Sequence, residues 1–448
     1  MKRAAVVFVM MTVILVAFST TKGMSFPGSE QGISLNGKLN CPYISTSGGT
    51  AYLQISLTSS GRDDRKRRQR PMNIAVVLDR SGSMADERKI DYAKSALTKL
   101  IDQLHAEDLF SLVVYDDVID VLRSSQRVGS SHRDLKRLIS DIYPRNSTNL
   151  GGGMMEGLRQ VERNLGKEYV NRVILLSDGL ANQGITDPSE LARIARNHRS
   201  RSISLTTMGV GLDYNENLMV ALAESGGGNY YFIESPSQLA SIMSKEFNSA
   251  SSVIAQNAYI ELKLGRGVKV VDVIGCEDFF DGGTYRIPVG DLVANDSREF
   301  TVELSIPEGT GVQTVATGTL HCECSAFASR PSFSARVNYT REVAMIEKNR
   351  DMETQAKADI AVSTRTVEKA MKALDEGRGE EAKSELSAAR QMLMSSPAAS
   401  YGGASGAAVQ EQAARLDSFN QILDDKEVDA RRAKKSIQYE NYQIQKKK

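Results

Sequence analysis

The residues best suited to chemistry are Asp79, Ser81 and Ser83, in Asp79-Arg80-Ser81-Gly82-Ser83, directly after the apolar run 74–78. A second carboxylate, Asp178, lies in Ser177-Asp178-Gly179 after the apolar run 173–176. A third segment, Asn146-Ser147-Thr148-Asn149-Leu150-Gly151-Gly152-Gly153, brings hydroxyls on a glycine-rich loop that can approach other backbone closely. Together, Asp79, Ser81, Ser83, Thr148 and Asp178 form an all-oxygen donor set. Such a set suits a hard divalent cation: Mg²⁺ or Mn²⁺ first, because direct carboxylates are few, with Ca²⁺ as a third option. These segments contain no thiolate or imidazole, which disfavours zinc and copper. Two carboxylates and three hydroxyls leave the ion incompletely caged, so water would fill the open positions. An Asp or Glu carboxylate from a protein partner could displace one of those waters. That is recognition chemistry and needs no base, nucleophile or leaving group.

Positioning such a set requires several chain segments to meet along one edge. From 73 to 248, apolar runs at 74–78, 109–115, 118–122, 173–176, 203–210 and 229–233 alternate with helical stretches near 86–104, 131–142, 151–165, 188–199, 214–225 and 235–248. Leu97, Leu100, Ile101 and Leu104 make one apolar helical face. Continuous apolar strands separated by helices predict an α/β fold, a doubly wound, mostly parallel sheet covered on both sides. In that fold, residues just beyond the strand carboxyl ends meet along one edge, where ligands bind. Asp79 and Asp178 both fall there.

Asp-x-Ser-x-Ser, then Thr148 in a glycine-rich loop, then Asp178 in Ser-Asp-Gly, resembles the metal-ion-dependent adhesion site of the von Willebrand factor A family. All five positions match, and Thr207-Met208-Gly209-Val210-Gly211 resembles a late strand of that fold. The resemblance implies that the three hydroxyl residues contact the metal directly or nearly so. It implies that the two aspartates act largely through water or shift shell when ligand binds. The flanks, with Val289-Gly290-Asp291-Leu292 and a helical C-terminus, are similar to bacterial secreted proteins of this family labelled calcium-activated-chloride-channel-like. No pore segment is apparent, so the label does not imply conduction. The alternative for the first segment alone is a strand-terminal turn whose hydroxyls cap the next helix. Three segments in order and in context argue for the metal site.

The chain has 448 residues, too many for one ordinary core. A formal net charge of +1 gives the whole molecule no bulk attraction for nucleic acid. Lys2 and Arg3 precede a short apolar run, 4–18, which predicts a signal peptide over 1–23 and an exported protein: periplasmic, cell-surface or extracellular. A membrane role would follow only if that segment stays uncleaved. Residues 24–60 read as β structure that joins a β-sandwich at 251–343, so the α/β block is an insertion in or beside the sandwich. A basic linker spans 61–72. A helical hairpin follows at 344–394, with Ile360, Val367, Met371 and Leu374 facing Ala382, Leu386 and Leu393. A flexible linker at 395–408 leads to a polar helical tail at 409–448, ending in frayed lysines. Cys41, Cys276, Cys322 and Cys324 suit disulfides in an exported chain, with Cys41 expected near one of the others. His321-Cys322-Glu323-Cys324 has metal-ligand types but no second cluster, and reads better as a strand.

Other chemistries find little support. Gly209-Val210-Gly211 lacks the third glycine of a dinucleotide loop, and no phosphate-binding Lys-Ser/Thr follows a glycine loop. His105, His132, His198 and His321 are not placed for a serine-hydrolase triad. Asn146, Asn295 and Asn338 begin Asn-x-Ser/Thr sequons, but a glycan on Asn146 would obstruct the metal loop. The reading is therefore a non-enzymatic, metal-dependent protein-binding or adhesion module, with no nucleic-acid or small-molecule substrate. The alternatives are a structural or assembly factor whose C-terminal helices make the main contacts and, third, a metal-dependent hydrolase, which lacks an evident general base.

Overall fold

The computed structural model describes residues 31–61, 70–145, 147–276, 279–281, 284–323, 330–425 and 429–446. The expected leader at 1–23, most of the basic linker, Asn146, Cys324, Lys447 and Lys448 lie outside them.

The described chain opens with β1 (Gln31–Leu39), β2 (Tyr43–Ser45) and β3 (Gly49–Gly61). The alternating block comprises β4 (Met72–Asp79), a 3-10 turn at Gly82–Arg88, α1 (Lys89–Gln103), β5 (Leu109–Tyr115), β6 (Ile119–Arg127), α2 (His132–Ser140), α3 (Leu150–Glu162), β7 (Val170–Ser177), α4 (Pro188–Arg199), β8 (Ile203–Val210), α5 (Glu216–Gly226), β9 (Gly227–Ile233) and α6 (Leu239–Ser251). Strands β10 (Val253–Leu264), β11 (Lys269–Ile274), β12 (Phe279–Asp281), β13 (Thr284–Val293), β14 (Ser297–Ile306), β15 (Val312–Glu323) and β16 (Ser332–Thr340) follow. The chain ends in α7 (Val343–Lys348), α8 (Met352–Asp375), α9 (Gly379–Ser395), α10 (Ala404–Asp424) and α11 (Ala430–Lys446).

The α/β block is one sheet in the order β6-β5-β4-β7-β8-β9, parallel except for the antiparallel edge strand β6. Its central strand shows why the apolar run is continuous. Ile74, Val76 and Leu78 pack with α1 and α6 on one face, and Ala75 and Val77 pack with α3 and α5 on the other. Helix starts are fixed by side-chain caps: Asn149 for α3, Asp187 followed by Pro188 for α4, and Asn215 for α5.

The remaining strands form two further sheets, β1-β3-β14-β11 and β12-β13-β10-β15-β16-β2, which enclose a separate apolar core. β3 precedes the α/β block and β14 follows it, yet they pair along their whole length from Ser297↔Thr58 to Ile306↔Gly49. The α/β block is therefore an insertion into the sandwich. Arg172 of β7 ties the two together. It is buried between Glu246 of α6 and Asp291 of β13, with Nη2 at 2.8 Å from Asp291 Oδ2.

Two expectations are corrected. Cys41 carries a thiol that donates to the Ile346 carbonyl at 3.3 Å, and Cys276 is also a thiol, while Cys322 is disulfide-bonded. No staple joins Cys41 to the sandwich, and a disulfide at Cys322 removes the thiolate that a metal would need. The second correction concerns the C-terminus. α10 begins inside the expected flexible linker, Ala398 and Ala399 are buried, and α8, α9 and α10 share one core with Ile437 of α11. The expected tail is docked: Lys435 donates to the Tyr214 carbonyl at 2.7 Å and pairs with Glu216, and Tyr442 packs edge-on to Tyr230.

Burial alone would push Glu246 up, but the Arg172 charge and hydrogen bonds from Thr206, Asn229 and Tyr231 hold its carboxyl down at about 2. A depressed carboxyl contributes stability above its unfolded pKa, and that contribution is lost as pH falls through the folded value. Glu246→Gln should therefore cost about 2–4 kcal/mol at neutral pH in chemical denaturation. The gap to wild type should close as pH falls from about 4.5 towards 2.

Candidate metal centre

The carboxyl ends of β4 and β7 are neighbours in the sheet, so the turns that follow them share one edge. Asp79 ends β4 and is fully buried. Its Oδ1 accepts the Ser81 amide at 2.8 Å, and its Oδ2 accepts the Ser177 hydroxyl at 2.8 Å and the Tyr115 hydroxyl at 3.2 Å. Asp79 thus shapes its own turn and anchors it to β5 and β7. Asp178, also fully buried, accepts the Ser83 hydroxyl on Oδ1 at 2.8 Å and the Lys89 ammonium on Oδ2 at 2.8 Å. Ser81 Oγ and Ser83 Oγ stand 3.2 Å apart.

Thr148 arrives from the other side. A Cβ built on Gly179 would lie 3.2 Å from Thr148 Oγ1 and 3.8 Å from Ser83 Oγ, so both hydroxyls border the same backbone. The Thr148 amide donates to Asn182 Oδ1 at 3.1 Å, and its carbonyl accepts the Asn182 amide at 3.2 Å. The five expected residues therefore converge. Ser83 and Gly179 are half-buried and Gly82 is exposed, which leaves the cluster open to solvent on that side.

The electrostatics are strained in the direction a cation would relieve. Burial, with the nearby Asp178 charge, pushes Asp79 up to about 6 against hydrogen bonds from Ser81 and Ser177. Burial also raises Asp178, opposed by Lys89. Among the described residues no group of three or more His, Cys, Asp or Glu could hold a metal, so an ion here would depend on the hydroxyls. The donor set fits that role. Around an octahedral ion with metal–oxygen distances of about 2.1 Å, adjacent donors stand about 3 Å apart. The Ser81–Ser83 and Ser83–Asp178 spacings, 3.2 and 2.8 Å, match that edge.

This geometry sits in a fold with known counterparts. Residues 73–245 match the profile described as von Willebrand factor type A domain. Those residues form a von Willebrand factor type A domain. The chain is similar to YfbK of Escherichia coli (strain K12), 29% identical over 203 residues, which are 45% of this chain and 35% of that protein. It is also similar to inter-alpha-trypsin inhibitor heavy chain H3 of Mus musculus, 26% identical over 165 residues, 35% of this chain and 18% of that one. The chain thus spans well under half the length of either relative. A solved von Willebrand factor type A protein from Catenulispora acidiphila matches in fold at TM-score 0.71 and 16% identity, covering 94% of this chain and 98% of that one. The shared fold therefore extends to the sandwich and helices around the A domain.

Several supporting residues carry no signal in the sequence reading. Tyr115 looks like one more apolar strand residue, yet its hydroxyl donates to Asp79. Asp116 receives Arg80 Nε and Arg145 Nε, each at 2.7 Å, which locks the turn after β4 to the loop between α2 and α3. Lys89 had one available clue: a cation in the first turn of a helix opposes the helix dipole and calls for a nearby anion. Gly153 is a required close approach, because a Cβ there would lie 2.5 Å from Tyr115 Cδ1. Gly153→Ala should destabilise the domain by about 1–3 kcal/mol in chemical denaturation and displace the Tyr115 ring from Asp79. Wild-type stability in this variant would show that the approach is not tight.

Proposed function

We propose that the A domain of this exported protein binds a protein partner through a divalent cation, Mg²⁺ or Mn²⁺, held by Ser81, Ser83 and Thr148 with Asp79 and Asp178. The observation that carries this reading is the convergence of three hydroxyls and two buried carboxylates on one sheet edge, with the Ser81–Ser83 and Ser83–Asp178 pairs at octahedral-edge spacing. When bound, the ion would offer an open coordination position to an Asp or Glu side chain of the partner. The chain's own residues do the rest. Asp79 is committed to Ser81, Ser177 and Tyr115, and so orients the serine turn. Asn182 holds Thr148, and Asp116 clamps Arg80 and Arg145. Leu180, Tyr143 and Val118, on or next to these loops, are exposed and supply apolar area for a partner to cover.

The disulfide at Cys322 supports export, since disulfides persist in oxidising compartments. Among the described residues no helix is long and apolar enough to cross a membrane. The alternative in which C-terminal helices make the main contacts is weakened by α11, whose Lys435 and Tyr442 are buried against the A domain.

Calorimetric titration of Mg²⁺ and Mn²⁺ into metal-free protein checks the metal half of this reading. Binding of about one ion per chain is expected, with loss in Asp79→Ala and Ser81→Ala. Partner capture should then occur with metal and fail with chelator. Equal capture under both conditions would contradict the proposal.

A further inference from the structure

The five donor residues do not account for Lys89. Its side chain is 4% exposed beside the fully buried Asp178, and it opens α1, where the helix dipole disfavours a cation. Its Nζ donates to Asp178 Oδ2 at 2.8 Å while Ser83 holds Oδ1, so the carboxylate is shared between the ammonium and the hydroxyl cluster. The other side of the lysine tip lies against the β8–α5 loop. A Cβ on Gly211 would stand 3.2 Å from Lys89 Cε and 3.4 Å from Nζ, on backbone with φ +75°. Immediately before Lys89, the non-glycine residues Glu87 and Arg88 adopt φ of 50° and 58°. Side-chain-bearing residues rarely take that conformation, and here it turns the chain so that Lys89 points inward.

We propose that Lys89 is a resident counter-cation of this site, a specificity-determining residue that sets the charge the metal and its ligand encounter. The inference rests on the metal reading above. Two ionised aspartates and one ammonium leave the empty cluster at one net negative charge. A divalent ion then brings it to one net positive charge, where the two aspartates alone would bring it to zero. Three consequences follow from that arithmetic. The empty site stays folded because Asp178 is already paired. The ion binds less tightly than it would without the ammonium. The loaded site retains a positive charge that an anionic ligand, a carboxylate, neutralises and a neutral ligand does not.

The test is calorimetric titration of Mn²⁺ into the metal-free full chain, with thermal melts of each protein. Lys89→Gln removes the charge and keeps a donor for Asp178, Lys89→Met removes both, Lys89→Arg keeps the charge, and Asp79→Ala controls for the site itself. The expected result is Mn²⁺ affinity at least about tenfold tighter in both neutral variants, and within about threefold of wild type in Lys89→Arg. Metal-free neutral variants should melt below wild type and recover on adding Mn²⁺. Neutral variants that need Mn²⁺ to fold at all would support the same conclusion. Folded neutral variants that bind Mn²⁺ no more tightly than wild type would overturn the inference, and wild-type binding lost in Asp79→Ala would still leave the metal reading standing. Absence of Mn²⁺ binding in wild type and neutral variants alike would overturn both.

Discussion

Asp79 and Asp178 are two carboxylates buried beside each other at the end of a parallel sheet, and much of the A domain serves to make that tolerable. An unpaired buried charge is costly, and two like charges are worse. The fold answers with donors: the Ser81 amide and the Ser177 and Tyr115 hydroxyls on Asp79, Ser83 and Lys89 on Asp178. What these donors leave is a hydroxyl cluster, buried at Ser81 and Thr148 and half-buried at Ser83, that opens to solvent past Gly82. That cluster is the ground for the proposal of recognition through a cation.

The rest of the molecule holds that cluster from behind. Asp116 joins the loops carrying Arg80 and Arg145, and Arg145 donates its amide to the Arg80 carbonyl at 2.7 Å. The β8–α5 loop backs Lys89 at Gly211, and three residues on, Tyr214 is gripped by Lys435 of α11. A series of contacts thus runs from the last helix to the lysine on Asp178. At the opposite end of the sheet, Arg172 fixes the A domain to the sandwich through Asp291. The inserted domain is therefore braced at both ends, which holds the proposed donors on a rigid support.

Much of this was legible in the residue pattern. Strand runs such as 74–78 and 203–210 are buried on both faces because helices cover both; the structure lengthens the first to Met72–Asp79 and keeps the second at Ile203–Val210. Asp79, Ser81, Ser83, Thr148 and Asp178 meet because their spacing follows strand ends that topology brings together. Tyr115 and Asn182 were not legible, because each acts through a contact between distant segments that leaves no local period, and Lys89 left only the clue of a cation in the first turn of a helix. The C-terminus was misjudged for a related reason. Its Ser-, Gly- and Ala-rich stretch has linker composition, but Ala398, Ala399 and α10 are ordered by burial against α8 and α9, which overrides local propensity.

The most direct test of the central claim is a crystal of the full chain grown with Mn²⁺ and measured for anomalous scattering. The account predicts one strong peak among Ser81, Ser83 and Thr148, with hydroxyl oxygens at about 2.1–2.3 Å and Asp79 still bonded to Ser177 and Tyr115. An empty cluster at saturating Mn²⁺, or an ion bound only elsewhere on the chain, would contradict it.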